Sequence, residues 1–286
     1  MKISPTKSGK SDFLAVYRDA IENTVIMSKG DPKRLYNLRC SQLPYCPSSV
    51  LINWGTRGMV QPMDMMMAFY VHVGHAVHKV MQDYLSQSGC FLADYACKEC
   101  GKKYPLSHTI ECCGFPTEYE EVNLSVGSKQ KGFIQGHIDG IFRDKKGNYW
   151  IVDFKTSSTA GAPAKVKKAP EGYRRQVRAY AYLLWKQYGI KVVGCMLVYI
   201  PRDNPKSPAI WEYKIKPADW DDLKSELYQD KRNHKKTMKA ETIEDMKELL
   251  KYKCGNPYCE ACKMATGKQV NLLTKFINSN KYPIVK

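Results

Sequence analysis

Hydrophobic and polar positions alternate most clearly between residues 134 and 155. Ile134, Gly136, Ile138 and Phe142 share one face of an extended run, while Gln135, His137 and Asp139 share the other. Beyond the turn-like Asp144-Lys145-Lys146-Gly147-Asn148, Trp150, Val152 and Phe154 point one way and Tyr149, Ile151, Asp153 and Lys155 the other. The pattern predicts a β-hairpin over Gly136 to Lys155. It sets Asp153 and Lys155 side by side near the end of a strand, with Asp139 able to face them from the neighbouring strand. Val122, Leu124 and Val126 alternate within 115–126, which predicts a first core strand, and residues 192–200 read as a buried strand. Helical spacing replaces alternation in two stretches. One spans 63–85, through Phe69, Val73, Val77, Val80, Tyr84 and Leu85. The other spans 172–188, through Tyr173, Val177, Tyr180, Ala181, Leu184 and Tyr188. In the second, Gln176 and Tyr180 lie one turn apart on a shared face. A helix around 12–28, a short helix and turn over 48–59, and a peripheral segment over 201–250 complete the expectation. The strand–strand–strand–helix–strand order over 118–200 makes the chain α/β.

Two carboxylates and a lysine on one patch of sheet have a chemical use. The carboxylates can hold a hard divalent cation through oxygen. Such an ion lowers the pKa of a bound water and stabilises charge building on a phosphate. The lysine can position or help deprotonate that water, or offset the transition-state charge. Taken alone, Asp-x-Lys equally describes a solvated hairpin face with an ion pair.

Composition narrows the partner. The 286 residues include 45 Lys and Arg against 28 Asp and Glu, a formal charge of +17, which favours a polyanion and most simply nucleic acid. There is no long apolar run, and the first residues, MKISPTKSGKSDFLAV, lack the apolar stretch of a signal peptide, so a cytoplasmic protein with no membrane partner is expected. Eleven cysteines at short spacings in such a compartment argue for metal ligands over disulfides. Cys97-Lys98-Glu99-Cys100-Gly101 has the shape of a zinc knuckle within an insertion over 90–114. Either His108 with Cys112 or Cys113, or both cysteines together, can complete a structural Zn²⁺ site.

Four motifs stand in order along the chain: Gly74-His75-Ala76-Val77-His78, Gly136-His137-Ile138-Asp139, Asp153-Phe154-Lys155, and Gln176-Val177-Arg178-Ala179-Tyr180. This series resembles the PD-(D/E)XK nucleases, in particular the RecB-type exonuclease branch that includes the AddB nuclease and the CRISPR-associated RecB-like exonucleases. The resemblance covers about residues 40–262 and implies a restriction-endonuclease-like core, a central mixed sheet flanked by helices. An N-terminal helical segment (1–39) and a C-terminal tail (263–286) lie outside it. It implies Mg²⁺ or Mn²⁺ held by His78, Asp139, Asp153 and the carbonyl of Phe154, with Lys155 assisting the attacking water. Gln176 and Tyr180 would order the site and the strand, and Glu118 or Glu121 would stand near the metal or just behind its ligands. Some relatives carry a [4Fe–4S] cluster that staples the two ends of the domain. Cys46, in Ser41-Gln42-Leu43-Pro44-Tyr45-Cys46-Pro47, and Cys254, Cys259 and Cys262 match its ligands, with Cys40 in reserve and zinc as the competing metal. The implied activity is a metal-dependent DNA exonuclease in recombination, repair or replication. A non-catalytic DNA-binding or assembly module and an endonuclease or flap nuclease are the alternatives. Partners implied are single-stranded DNA or duplex ends, recombination, replication or CRISPR-adaptation proteins, and further copies of the chain in a homo-oligomer. Lys165, Lys167 and Lys168, in a basic loop, and the run Lys231 to Lys236 are candidates for phosphate contact.

Overall fold

The computed structural model of the chain describes residues 25–26, 38–42, 63–108, 110–128 and 132–238. Helix α1 (Met65–Ser86) leads into strands β1 (Phe91–Ala96), β2 (Lys103–Ser107), β3 (Glu118–Glu120), β4 (Val122–Ser128), β5 (Gly132–Ile138), β6 (Gly140–Arg143) and β7 (Tyr149–Ser157). Helices α2 (Ala162–Lys167) and α3 (Glu171–Tyr188), strands β8 (Gly194–Pro201) and β9 (Ala209–Lys214), and helix α4 (Asp219–Met238) follow. The main sheet has seven strands in the order β9-β8-β7-β6-β1-β2, with β3 also paired to β1. Only β7 and β8 run parallel, so the sheet is mixed. A second, three-stranded sheet joins Leu38–Arg39 in parallel to β5, and β5 antiparallel to β4.

β7 is the central strand, covered on both faces, as expected where a parallel pair is crossed by a helix. Its odd-numbered residues lie under α3. Ile151 pairs with Cys195, whose thiol donates to the Val177 carbonyl of α3, and the Lys155 ammonium lies 4.9 Å from the ring centre of Tyr173. Its even-numbered residues face α1 and β1: Phe154 packs against His78 and Phe91, with ring centres 6.0 and 6.3 Å apart. Residues 150–154 are all buried. The reading of a solvated hairpin face therefore fails, because Asp153 is only 2% exposed.

The hairpin is shorter than its sequence pattern. It consists of β6 and β7, paired from Gly140↔Val152 to Arg143↔Tyr149. Residues before Asp139 belong to the other sheet, so the chain bends at Asp139 and passes from one sheet to the next. The bend shifts the alternation: Ile141 is fully buried, whereas Phe142 is partly exposed.

Other boundaries differ for tertiary reasons. Residues 91–96 form a strand of the main sheet, so the insertion begins only after it. The stretch 201–250 is not peripheral through residue 238: β9 extends the sheet edge, and α4 buries Trp220, Leu223 and Leu227, with Trp220 5.3 Å from the Trp185 ring of α3. The expected loop after Lys155 contains helix α2. Val25–Ile26, expected to be helical, is a short strand paired with Met63–Asp64. The remainder of the 12–28 helix and the 48–59 segment lie outside the described residues. Among the described residues no helix is long and apolar enough to cross a membrane.

Candidate active site

The first motif lies on α1, whose sheet-facing side carries Val77, His78, Met81 and Gln82, while His72 and His75 point outward and are exposed. This selects His78 among the three histidines. Asp139 occupies the bend between β5 and β6, and two glycines make that bend possible. A Cβ on Gly136 would lie 2.5 Å from the Tyr180 ring and 3.2 Å from the Cys40 sulfur, and a Cβ on Gly140 would collide with the Phe91 ring. Gly-x-x-Asp-Gly is therefore a packing motif here: bare backbone on either side of the aspartate lets two aromatic rings close over it.

The charged groups converge on a cavity of about 380 Å³ lined by His78, Glu121, Asp139, Asp153, Lys155, Gln176 and Tyr180. Asp139 is fixed at both ends. Its Oδ2 accepts a hydrogen bond from the Phe154 N–H at 2.7 Å and lies 3.5 Å from His78 Nδ1. Its backbone carbonyl accepts from the Tyr119 hydroxyl and from Gln82 Nε2. Lys155 Nζ stands 2.5 Å from Asp153 Oδ2. Among the described residues, the ammonium is the partner of that buried oxygen. Gln176 Nε2 donates to the Tyr180 hydroxyl at 2.8 Å.

The electrostatics follow from burial. Desolvation pushes the Asp153 carboxyl up to about 6 against the pull of Lys155, and the nearby Asp139 charge adds to the rise. Burial pulls Lys155 down, but the Asp153 and Asp139 charges outweigh it and hold the ammonium above its ordinary value. His78 is likewise lowered by burial and raised overall by Asp139. Burial, then Asp139, raises Glu121, and burial raises the Tyr180 phenol well above its usual range.

The chain matches the PD-(D/E)XK nuclease superfamily over residues 64–266. It belongs to that superfamily. Members of the superfamily are nucleases that use divalent metals, and the mixed sheet with flanking helices is consistent with their restriction-endonuclease-like core. Comparison with curated proteins finds no match. Among solved structures, the chain is similar to the crystal structure of SSO0001, at 16% identity over 79% of this chain and 84% of that one, TM-score 0.40. It is also similar to LHK-Exo in complex with dAMP, at 12% identity over 82% and 97%, TM-score 0.42.

Of the two glutamates left open by the sequence, Glu121 lines the cavity, 3.9 Å from His137, whereas Glu118 pairs with Lys98 at 2.6 Å in a separate groove. The hairpin alternation gave no sign of Tyr119, Gln82 or Tyr173, which hold Asp139 and Lys155 from behind. No sequence motif marks them, because their partners come from distant strands and helices. Cys40 is buried in the core beside Gly136, with its thiol pushed up by burial. Cys46, Cys254, Cys259 and Cys262 lie outside the described residues. Cys97, Cys100, Cys112 and Cys113 come together at a second location.

Proposed function

We propose that this chain is a metal-dependent DNA exonuclease whose reaction takes place in the His78–Asp139–Asp153–Lys155 cavity. The observation that carries this reading is the convergence of two buried carboxylates, an imidazole and a lysine around one space, with the buried Asp153 Oδ2 faced by the Lys155 ammonium. That donor set suits a hard or borderline divalent cation such as Mg²⁺ or Mn²⁺. His78, Asp139, Asp153 and the Phe154 carbonyl would hold it. When bound, the ion supplies Lewis acidity toward a phosphodiester oxygen and toward an attacking water.

The protein's own groups do the rest. Asp139, tied by Phe154 N–H and by Tyr119, keeps its carboxylate fixed across from His78. Lys155, held by Asp153 and the Tyr173 face, offers a fixed positive charge. That charge offsets the negative charge that builds as water displaces the 3′ oxygen in line and leaves a 5′ phosphate. The Gln176–Tyr180 pair closes the cavity wall and orders the strand beside it. The formal charge of +17 supports a polyanionic substrate. The ordered series of four motifs supports the RecB/AddB-like branch and action at DNA ends. By the same resemblance, Cys46, Cys254, Cys259 and Cys262 are proposed to carry a [4Fe–4S] cluster.

The test is degradation of DNA labelled at either end, single- and double-stranded, with Mg²⁺ or Mn²⁺ and with chelator. Progressive loss of label from ends, absent with chelator, is expected. Cleavage of circular or internally labelled DNA without end dependence would move the assignment to an endonuclease. DNA binding without cleavage on any substrate would make the chain an assembly module.

A further inference from the structure

The insertion after β1 carries a second cluster of metal-ligating groups that the nuclease reaction does not use. We propose that Cys97, Cys100, Cys112 and Cys113 bind one structural Zn²⁺ as a tetrathiolate. The four sulfurs all lie within 4.8 Å of one another. Cys100 and Cys112 are 3.6 Å apart, and Cys112 and Cys113 are 3.9 Å apart. A tetrahedral site with Zn–S bonds of about 2.3 Å has sulfur–sulfur edges of about 3.8 Å, so both separations are edges of such a site. An iron–sulfur cluster spreads its thiolates over several iron atoms and needs a wider cradle. His108, the other candidate ligand, is not in the group; its Nδ1 lies 3.2 Å from the Phe91 carbonyl instead.

The backbone is shaped to present these sulfurs. Cys97 N–H donates to Lys102 O at 2.9 Å and Gly101 N–H donates to Cys97 O at 3.0 Å, closing a tight turn with Gly101 at φ +69°. The second half uses adjacent cysteines where a ribbon would have two residues between them. That is possible because Cys113 itself takes φ +53°, followed by Gly114 at +80°, in the turn between Glu111–Cys112 and Phe115–Pro116. A left-handed cysteine is an uncommon conformation that something must hold in place. The two short strands offer no apolar core to do so: Glu111, Cys113, Gly114, Phe115 and Pro116 are all exposed. A metal bond set supplies the missing constraint.

The staple also has an address. Thr117, directly after it, is clasped to Ile110 by its N–H at 2.8 Å and its hydroxyl at 2.9 Å, and two residues on, Tyr119 reaches the Asp139 carbonyl. The ion thus anchors the strand that leads to the nuclease cavity without taking part in it.

The experiment uses the full chain purified without added metal. Zinc and iron are counted per chain by plasma mass spectrometry for the wild type, Cys100→Ser and Cys113→Ser. Each substitution is expected to lower zinc by one per chain and to leave iron unchanged. In the wild type, Cys100 and Cys113, both exposed, are expected to resist alkylation until a strong chelator strips the zinc, and a mercurial, in a separate sample, is expected to release one zinc per chain to a chromophoric chelator; neither readout depends on the variants folding. Unchanged zinc in both variants, loss of iron in its place, or immediate alkylation of Cys100 and Cys113 in the wild type would overturn the proposal.

Discussion

The cavity around Asp153 and the cysteine hairpin at 97–114 hold reactive atoms together by opposite means. The cavity draws its groups from positions between residues 78 and 180, on helices and strands of both sheets, and each is fixed by packing before any ion arrives. Asp139 alone is held by Phe154, Tyr119 and Gln82. The cysteine cluster draws its four sulfurs from 17 consecutive residues that include β2 of the main sheet, and its second half, the short hairpin around Cys113, is exposed and has no apolar core of its own. On the proposed reading, preorganisation by packing leaves a site that waits for an ion, whereas the exposed hairpin around Cys113 depends on one. Chelation is therefore expected to abolish activity while leaving the main domain folded, whereas loss of the tetrathiolate ion should unfold its hairpin locally.

The largest expected effect is on cleavage. Lys155→Ala removes the positive charge proposed to face the phosphate and should lower the rate by about 10²–10³-fold, measured as initial release of end label in saturating Mn²⁺. A rate within a few-fold of wild type would remove Lys155 from the chemistry. Next comes stability. Either Lys155→Ala or Asp153→Ala leaves a buried charge without its partner and should cost about 3–5 kcal/mol in urea denaturation with chelator present. The double variant Asp153→Asn with Lys155→Met should regain most of that stability while remaining inactive. If the singles unfold no more easily than wild type, the pair is solvated and the packed-cavity half of the comparison fails.

Tyr119→Phe sharpens the contrast further. It removes one hydroxyl behind Asp139 and should reduce cleavage by about 10–100-fold, with Mn²⁺ affinity lowered and the zinc count unchanged. Gly136→Ala sets a methyl against Tyr180 and should cost about 1–3 kcal/mol by overpacking, with a matching loss of activity as the Tyr180–Gln176 wall shifts.

The smallest effect concerns the turn of the β6–β7 hairpin. Burial raises the Asp144 carboxyl, but hydrogen bonds from Asn148, Trp150 and Lys146 outweigh it and hold it at about 2. Because the folded value is depressed, its contribution is fully present above the ordinary carboxylate range near pH 4 and is lost as pH falls through about 2. Asp144→Ala should lower the Tm slightly at pH 7 and remove that part of the acid dependence, read by thermal melting between pH 2 and 7.

Much of the candidate site was legible because it is written in short-range pattern. The Asp-x-Lys and Gln-x-x-x-Tyr spacings each lie within one strand or one helical turn, and local periodicity determines which way such residues point. Helix α3 and strand β8 were read to within two residues for the same reason. What escaped depends on contacts far apart in the chain. The bend at Asp139 arises from Phe91 and Tyr180 closing on Gly140 and Gly136, and neither ring is a neighbour in sequence. The residues 91–96 looked like part of an insertion because the cysteines just after them dominate the local composition, yet β1 pairs with β6 across the sheet. Tyr119 and Gln82 act through a backbone carbonyl, which leaves no mark on residue type. In the cysteine cluster the spacing marked candidate metal ligands but left the choice between His108 and the adjacent cysteines open, because the left-handed turn at Cys113 is visible only in the backbone.

The measurement that bears most directly on the central claim is a Mn²⁺ titration of wild type and Asp153→Asn in which bound Mn²⁺, by electron paramagnetic resonance, and DNA cleavage are followed in the same samples. The account predicts that in the wild type cleavage rises with occupancy of the cavity, and that Asp153→Asn, folded and with its zinc retained, loses both Mn²⁺ binding and cleavage. Cleavage by Asp153→Asn at the wild-type rate, or wild-type cleavage that persists with no Mn²⁺ or Mg²⁺ bound, would contradict it.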